Sequence, residues 1–300
     1  MVNITHKSNT LRKAVAVASV IVSLQETIRA INEKRVPKGD VFSFAKVAAL
    51  FAVKKTDTVI PDCHPLPVEF TDVRFSVHDL CITVEVEVHT IYKTGVEVEA
   101  MHGAAVAALT LYDMLKPIDP HIEIQQIKLL SKSGGKSDRK NTEAINAAVV
   151  VCSDSISQQK ATDKAGLAVV DKLKQWQINT LHYTIIPDEV TAIQTAIREF
   201  VNNNIQLLIF VGGTGVSKRD VTPDVIKPLL EVELPGIMEQ ARSYGQERMP
   251  YAMLSRSVAG FIQNTLVLTF PGSTGGATEY MDALFPAVLH ALSIRNNEPH

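Results

Sequence analysis

The chain has 300 residues, 46% of them hydrophobic and 21% charged, with 30 basic against 32 acidic side chains and a net charge of −2. That length and apolar content suffice for about two domains with sizeable cores, and a balanced charge, with neither half a polycation, argues against a general nucleic-acid binder. The cysteines, Cys63, Cys81 and Cys152, fit a reducing compartment and form no disulfide or zinc pattern; no apolar run reaches the roughly 18 residues of a membrane span, and MVNITHKSNTLRK lacks a signal peptide's apolar core, so the expectation is a soluble cytoplasmic protein.

The first half mixes helices with an alternating sheet. Val73, Phe75 and Val77 alternate with polar residues, as do Ile82, Val84, Val86 and Val88. Period two on both sides of His78-Asp79-Leu80 predicts an antiparallel hairpin with one dry face. An Ala-rich helix is expected from about Glu99 to Lys116, stopped by Pro117 and Pro120. HIEIQQIKLL then reads as another strand. This is α+β grammar. From INAAVVVCSDS onward the pattern changes. Apolar runs at Ala147–Cys152, Leu181–Ile186 and Leu207–Val211, and a fourth ending at Phe270, are separated by helical stretches. Strands dry on both faces and joined by helices predict a mostly parallel α/β sheet. The division is a first domain over 1–138, a linker over 139–145 and a second domain over 146–300.

At the seam stands LLSKSGGKSD. GGKS resembles the end of a phosphate loop, but Leu130 occupies the position of that loop's first glycine, and no apolar helix follows. A basic anion-binding loop and a polar linker both remain open here.

Several residues in the first half could carry chemistry. Asp113 and Lys116 share a helix face, as an acid/base pair or as a solvent-facing ion pair. Cys63 and His64 lie on a proline-stiffened loop, PDCHPLP. Glu97 and Glu99 are expected on one side of an extended GVEVEA segment. Arg12, Lys38, Lys54, Lys132 and Lys136 would suit a polyphosphate if they converged.

In the second half, VGGTGVSKRDVTPD follows the third apolar run, and its glycines permit a tight turn at a strand's carboxyl end. Thr222-Pro223-Asp224 reads as a helix start with Thr as cap and Pro first. TFPGSTGG repeats the logic after the fourth run. With Ser153-Asp154-Ser155 and Pro187-Asp188-Glu189, four strand-end loops outline one crevice, the usual ligand position in such sheets.

KGDVF, IPDCHPLP, GVEVEAMHGAAVAALTLYDMLK and LLSKSGGKS, in that order across residues 1–138, resemble cyclic pyranopterin monophosphate synthase of the MoaC family, an early enzyme of molybdenum cofactor biosynthesis. The resemblance implies a ferredoxin-like α+β domain whose sites form between subunits, commonly in a hexamer. The implied reaction converts 3′,8-cyclo-7,8-dihydro-GTP to cyclic pyranopterin monophosphate and pyrophosphate, with no cofactor. By motif, Asp113 and Lys116 match the essential acid and base, and His64 and Glu99 match active-site residues. Cys63 and Glu97 lie beside them. Arg12, Lys38, Lys54, Lys132 and Lys136 match the basic residues around the substrate. Asn3 and Asp62 depart from the usual Asp and Leu.

CSDS, IIPDE, GGTGVSKRDVTPD, ELPG, LSRSVAG and FPGS, across residues 145–290, resemble the molybdopterin adenylyltransferase family, MoaB/Mog. The resemblance implies an α/β/α three-layer fold, a trimeric tendency, and transfer of AMP from ATP to the pterin's phosphate with magnesium. Asp188 and Asp220 match the essential acids and would handle the metal. Gly212, Gly213, Thr214 and Gly215, with Pro271, Gly272 and Ser273, would cradle substrate, and Ser255 and Arg256 would contact a phosphate. The expected partners are small pterin and nucleotide substrates and other copies of the chain, without nucleic acid or membrane. A second reading keeps the synthase active and makes the second domain a non-catalytic pterin-binding scaffold.

Overall fold

In the computed structural model, which describes residues 1–135 and 144–295, contacts divide the chain into two units, Met1–Asp138 and Arg139–His300. Most of the expected linker, residues 139–143, lies outside the described residues.

The first unit runs β1 (Thr10–Ile21), α1 (Gln25–Asn32), α2 (Val41–Lys54), α3 (Thr56–Val59), β2 (Phe70–His78), β3 (Cys81–Tyr92), α4 (Glu97–Leu115) and β4 (Glu123–Ser133). Its sheet has the order β2-β3-β1-β4, with every neighbouring pair antiparallel. The hairpin turns at Asp79, whose φ of 53° is tolerated by Asp's short polar side chain. The central strand, β1, was not foreseen. Val15 and Val17 on its other face leave no clean alternation, and a continuous apolar run does not reveal its period. Ala14, Ala16, Ala18 and Val20 from β1 join Ile82, Val84, Val86 and Val88 from β3 beneath Ala100, Ala104, Ala107 and Leu111 of α4. Small residues let α4 settle between α2 and the sheet. A Cβ on Gly103 would stand 2.7 Å from Val53 Cγ2. Glu97 and Glu99 correct an expectation: they occupy the first turn of α4, not an extended segment, so a helix's rotation sends them in different directions.

The second unit runs β5 (Asn146–Cys152), α5 (Asp154–Ser157), α6 (Ala165–Gln175), β6 (Asn179–Ile186), α7 (Val190–Asn202), β7 (Leu207–Val211), α8 (Thr222–Ile226), β8 (Val232–Glu233), α9 (Pro235–Gln246), β9 (Ala259–Ile262), β10 (Thr265–Phe270), α10 (Thr274–Leu284) and α11 (His290–Arg295). The order is β6-β5-β7-β10-β9-β8. β6, β5, β7 and β10 are parallel, whereas β9 pairs antiparallel with β10 and with β8. The sheet is therefore mixed: its four-stranded parallel part matches the expectation, and β9 and β8 extend it antiparallel. The short β8 and β9 offer too few residues to show a period. Alternation along the inner strands feeds two cores. Ala147, Val149, Leu207 and Ile209 pack with α6, α9 and α10. Ala148, Val150, Leu208 and Phe210 pack with α7 and α8 on the other face. The edge strand β6 was expected to be dry but is not, with Leu181 49% and Tyr183 37% exposed.

Candidate active sites

In the first unit the turn before α2 carries Lys38, and the end of α4 carries Asp113. Lys38 Nζ donates to Asp113 Oδ2 at 2.7 Å and to the Asp113 carbonyl at 2.9 Å. Lys116 Nζ stands 2.8 Å from Asp113 Oδ1. Hydrogen bonds from Lys116 and then Lys38 pull the Asp113 pKa down to about 2. Two ammonium groups on one carboxylate leave a net positive, solvent-facing cluster suited to an anionic substrate.

A second cluster gathers at the other end of α4. Glu99 is 3% exposed, and its Oε1 accepts from Cys63 Sγ at 3.2 Å. Burial, with the charges of Glu97 and Asp57 behind it, raises the Glu99 pKa; burial and then Glu99 itself push the Cys63 thiol up to about 12. Asp57, on α3, was absent from the expected set, because nothing in TDTV marks it as facing a buried acid. Glu97 pairs with Lys132 on β4 at 3.1 Å. His64 Nε2 bonds the Val2 carbonyl at 2.8 Å.

The glycines of SGGKS wrap Arg12. Gly134 and Gly135 have φ of 99° and 94°, and a Cβ on Gly135 would stand 1.9 Å from Arg12 Nη1. Nη1 donates to the Gly134 carbonyl at 3.2 Å, while Nε is buried with no partner among the described residues. Lys54 is exposed at the last turn of α2, and Lys136 lies outside the described residues. Glu99 and Asp113 are fourteen positions apart on one straight element, about 21 Å at 1.5 Å per residue. Within one copy the two clusters therefore stand apart, one at each end of α4.

In the second unit the carboxyl ends of the parallel strands converge as expected. Gly212 and Gly213 adopt φ of 110° and 61°, and a Cβ on Gly212 would meet the Cys152 carbonyl at 2.2 Å. A cavity of about 630 Å³ is lined by Gly213, Thr214, Gly215, Asp220, Ser255, Pro271, Gly272 and Ser273, all foreseen. Its apolar wall, Met249, Tyr251 and Leu254, was not foreseen, nor was Glu279. No strand-end motif marks the 249–254 segment. Ser273 caps α10, accepting from the Gly276 amide at 3.2 Å, so this helix begins at the cavity.

Arg256 lines no part of that cavity. Its Nε donates to the Gly215 carbonyl at 2.7 Å, and Nη1 grips both carboxylate oxygens of Asp224 at 2.8 and 2.9 Å. It ties the glycine loop to α8. Beside the cavity, Asp188 Oδ2 accepts from the Asp154 amide at 3.2 Å, and its Oδ1 is buried with no partner among the described residues. Burial raises the Asp188 pKa, and the Asp154 and Asp220 charges add to the rise. Thr222 proves not to be a cap. It is the first residue of α8 and fully buried, and its hydroxyl meets the Cys152 thiol.

The MoaC family profile matches residues 1–135, and a profile described as "Probable molybdopterin binding domain" matches residues 148–290. A "Molybdenum cofactor biosynthesis bifunctional protein" from Chlorobaculum tepidum is 38% identical, covering 100% of this chain and 96% of that protein. One of the same description from Synechococcus elongatus is 32% identical, covering 100% and 98%. The chain belongs to the family of bifunctional molybdenum cofactor biosynthesis proteins. Its first half is also 46% identical to a "Cyclic pyranopterin monophosphate synthase" from Thermomicrobium roseum, covering 49% of this chain and 91% of that protein.

The bifunctional protein thus joins a synthase-like domain to a molybdopterin-binding domain. Among the described residues no group of three or more His, Cys, Asp or Glu side chains is arranged to hold a metal ion. The donors beside the cavity nevertheless fit magnesium. Asp188 Oδ1 is a hard oxygen donor with no partner among the described residues, and Asp220 lines the cavity beside the same glycine loop; magnesium takes one or two carboxylates and completes its shell with water and substrate phosphates. No helix of the described residues is long and apolar enough to cross a membrane.

Proposed function

We propose that residues 1–138 form a ferredoxin-like synthase domain that converts 3′,8-cyclo-7,8-dihydro-GTP to cyclic pyranopterin monophosphate and pyrophosphate. The 146–300 domain, of α/β/α layering, transfers AMP from ATP to molybdopterin. The order β2-β3-β1-β4 supports the first fold assignment, and the two cores on opposite faces of the second sheet support the other.

The observation that carries the synthase reading is the Lys38–Asp113–Lys116 cluster, set about 21 Å along α4 from the Glu99–Cys63 cluster. A site using both draws them from different copies, in keeping with a homo-oligomer, a hexamer being the assembly that dimeric and trimeric contacts together would build. Lys38 and Lys116, with Arg12, Lys132 and Lys136, neutralise triphosphate charge and favour pyrophosphate departure. Lys116 and Asp113 move protons as the purine ring opens and the pterin closes, Glu99 serves as the buried acid, and His64 orients the ring.

For the second domain the carrying observation is the cavity floor, where glycine turns, the start of α10 and Asp220 meet beside Asp188. Magnesium, when bound, neutralises triphosphate charge and aligns the α-phosphate. Asp188 and Asp220 would hold it. Backbone groups of the Gly212–Gly215 and Pro271–Ser273 turns cradle phosphate, and the Tyr251 wall receives a planar ring. In the transfer, a pterin phosphate oxygen bonds the α-phosphorus as the bond from it to the bridging oxygen breaks, and pyrophosphate leaves. Three free cysteines fit a cytoplasmic setting.

Two assays on the full chain test this reading. Lys116→Ala should abolish formation of the cyclic monophosphate and leave adenylylation intact; Asp220→Ala should do the reverse. Pterin binding without adenylyl-pterin formation in the parent chain would establish the scaffold reading instead.

A further inference from the structure

Beyond the acids already assigned, the crevice holds Asp154. It is the first residue of α5, one residue past the end of β5, so its amide is one of the free donors of a helix's first turn. That amide donates to Asp188 Oδ2 at 3.2 Å, and the Asp188 amide donates back to Asp154 Oδ1 at 3.2 Å. The two contacts form a closed, reciprocal pair. It extends the β5–β6 ladder past its last register partners, Cys152 and Ile186, after the Ser153 amide has bonded the Ile186 carbonyl. Asp154 spends its other oxygen, Oδ2, on the guanidinium of Arg219 from the loop after β7. Both oxygens of Asp154 are thereby occupied, whereas Asp188 keeps one free.

The free oxygen has a definite direction. A Cβ on Gly213 would stand 3.0 Å from Asp188 Oδ1 and 2.3 Å from Thr222 Oγ1, so the free Asp188 oxygen and the Thr222 hydroxyl border the same point beside the glycine turn. An unrestrained aspartate samples several rotamers and shares its oxygens with water. Here Oδ2 is tied down from outside the site, and Oδ1 alone is presented inward.

We infer that Asp154 is a positioning residue for Asp188: its carboxylate accepts from the Asp188 main-chain amide and so holds the backbone of residue 188 where the main-chain amide of residue 154 meets Oδ2 and Oδ1 faces Gly213. The inference rests on the reading that Asp188 meets the divalent cation of the nucleotide. Residues that hold a metal-binding carboxylate from behind alter affinity by about 10- to 100-fold when removed. Asp154 itself touches neither cation nor substrate in this scheme.

The test is direct binding of manganese, as a spectroscopic stand-in for magnesium, to the full chain with α,β-methylene-ATP, followed by electron paramagnetic resonance. Asp188→Ala and Asp154→Ala should each weaken manganese binding by about 10- to 100-fold. Asp154→Asn, which keeps an acceptor for the Asp188 amide, should stay within about threefold of the parent, and that rescue would not follow from loss of a charge alone. Circular dichroism shows whether each variant folds. Should Asp154→Ala not fold, Asp154→Glu reads the same property. It keeps the charge but pushes the carboxylate out by one methylene, and binding should fall at least about tenfold. Parental affinity in Asp154→Ala or Asp154→Glu, beside a weakened Asp188→Ala, overturns the inference and leaves the role of Asp188 standing. Parental affinity in Asp188→Ala removes the reading beneath it, and the inference with it.

Discussion

The Cys63 thiol donates to the Glu99 carboxylate across 3.2 Å, in a pocket where Glu99 is almost fully enclosed. The thiol is held up at about 12, chiefly by burial and then by Glu99, so the thiolate needed for nucleophilic chemistry is scarce. Cys63 serves this site as a hydrogen-bond donor. Native protein treated with iodoacetamide at pH 8 should therefore leave Cys63 unlabelled while the unfolded chain labels at all three cysteines, as read by peptide mass spectrometry. Rapid native labelling of Cys63 would contradict the assigned contact.

Glu99 should cost stability at neutral pH. Burial raises its folded pKa above the ordinary carboxylate value, so the folded protein binds the proton more tightly than the unfolded chain does. The penalty is absent below the ordinary value, grows as pH rises to the folded value, and is constant above it. Glu99→Gln keeps an acceptor for Cys63. It should raise the melting temperature at pH 8 but not at pH 4, while synthase turnover falls by about 10²- to 10⁴-fold.

Mixed oligomers can locate the synthase site. Lys116→Ala and Glu99→Gln should each be inactive alone, since they damage opposite ends of α4. Subunit exchange between them should restore part of the turnover, because some interfaces then carry both intact half-sites. No recovery after verified exchange would place both clusters' chemistry within one copy. With its pKa near 2, Asp113 stays ionised from about pH 4 upward, so Asp113→Asn should lower activity without moving the acid limb of the pH profile.

Arg256 should behave as a structural tie. Its guanidinium bridges the Gly215 and Asp220 carbonyls to the Asp224 carboxylate. Arg256→Ala should cost about 1–2 kcal/mol in urea unfolding and weaken nucleotide binding through the loosened glycine loop. Arg256→Lys should recover little of either, because a single ammonium cannot reproduce the fork.

Asp119 clamps the loop between β1 and α1 to the end of α4. Burial favours its neutral form, but the Ser23 hydroxyl and amide, Thr27 and the His121 amide outweigh burial and hold it below the ordinary carboxylate range. Its stabilisation is present above the unfolded-state pKa and is lost as pH falls through the lower folded value. Asp119→Ala should cost about 2–3 kcal/mol at pH 7, and less at pH 3, in parallel urea titrations.

Local pattern and composition carried a good part of this architecture. The β2–β3 hairpin, the Ala-rich α4, the four parallel strands and the glycine turns after β7 and β10 were all legible, because period two, period 3.6 and turn chemistry are properties of short segments. β1 was not legible, since both faces of a central strand can be apolar and its partners are remote in sequence. The same limit hid β8 and β9. Short strands become visible only when paired.

The residue types for both candidate sites were likewise present in order along the chain. Their grouping was not. Only packing separates Lys38, Asp113 and Lys116 from Cys63 and Glu99, because α4 is a rigid rod with one cluster at each end. Only packing turns Arg256 away from the cavity and onto Asp224, and turns Thr222 from a cap into a buried oxygen facing Asp188. Sequence by itself determined which segments form strands, helices and tight turns, and supplied the acids, bases and glycines. The tertiary structure decided which of them meet, because side-chain burial and hydrogen-bond choice depend on neighbours contributed by distant parts of the chain.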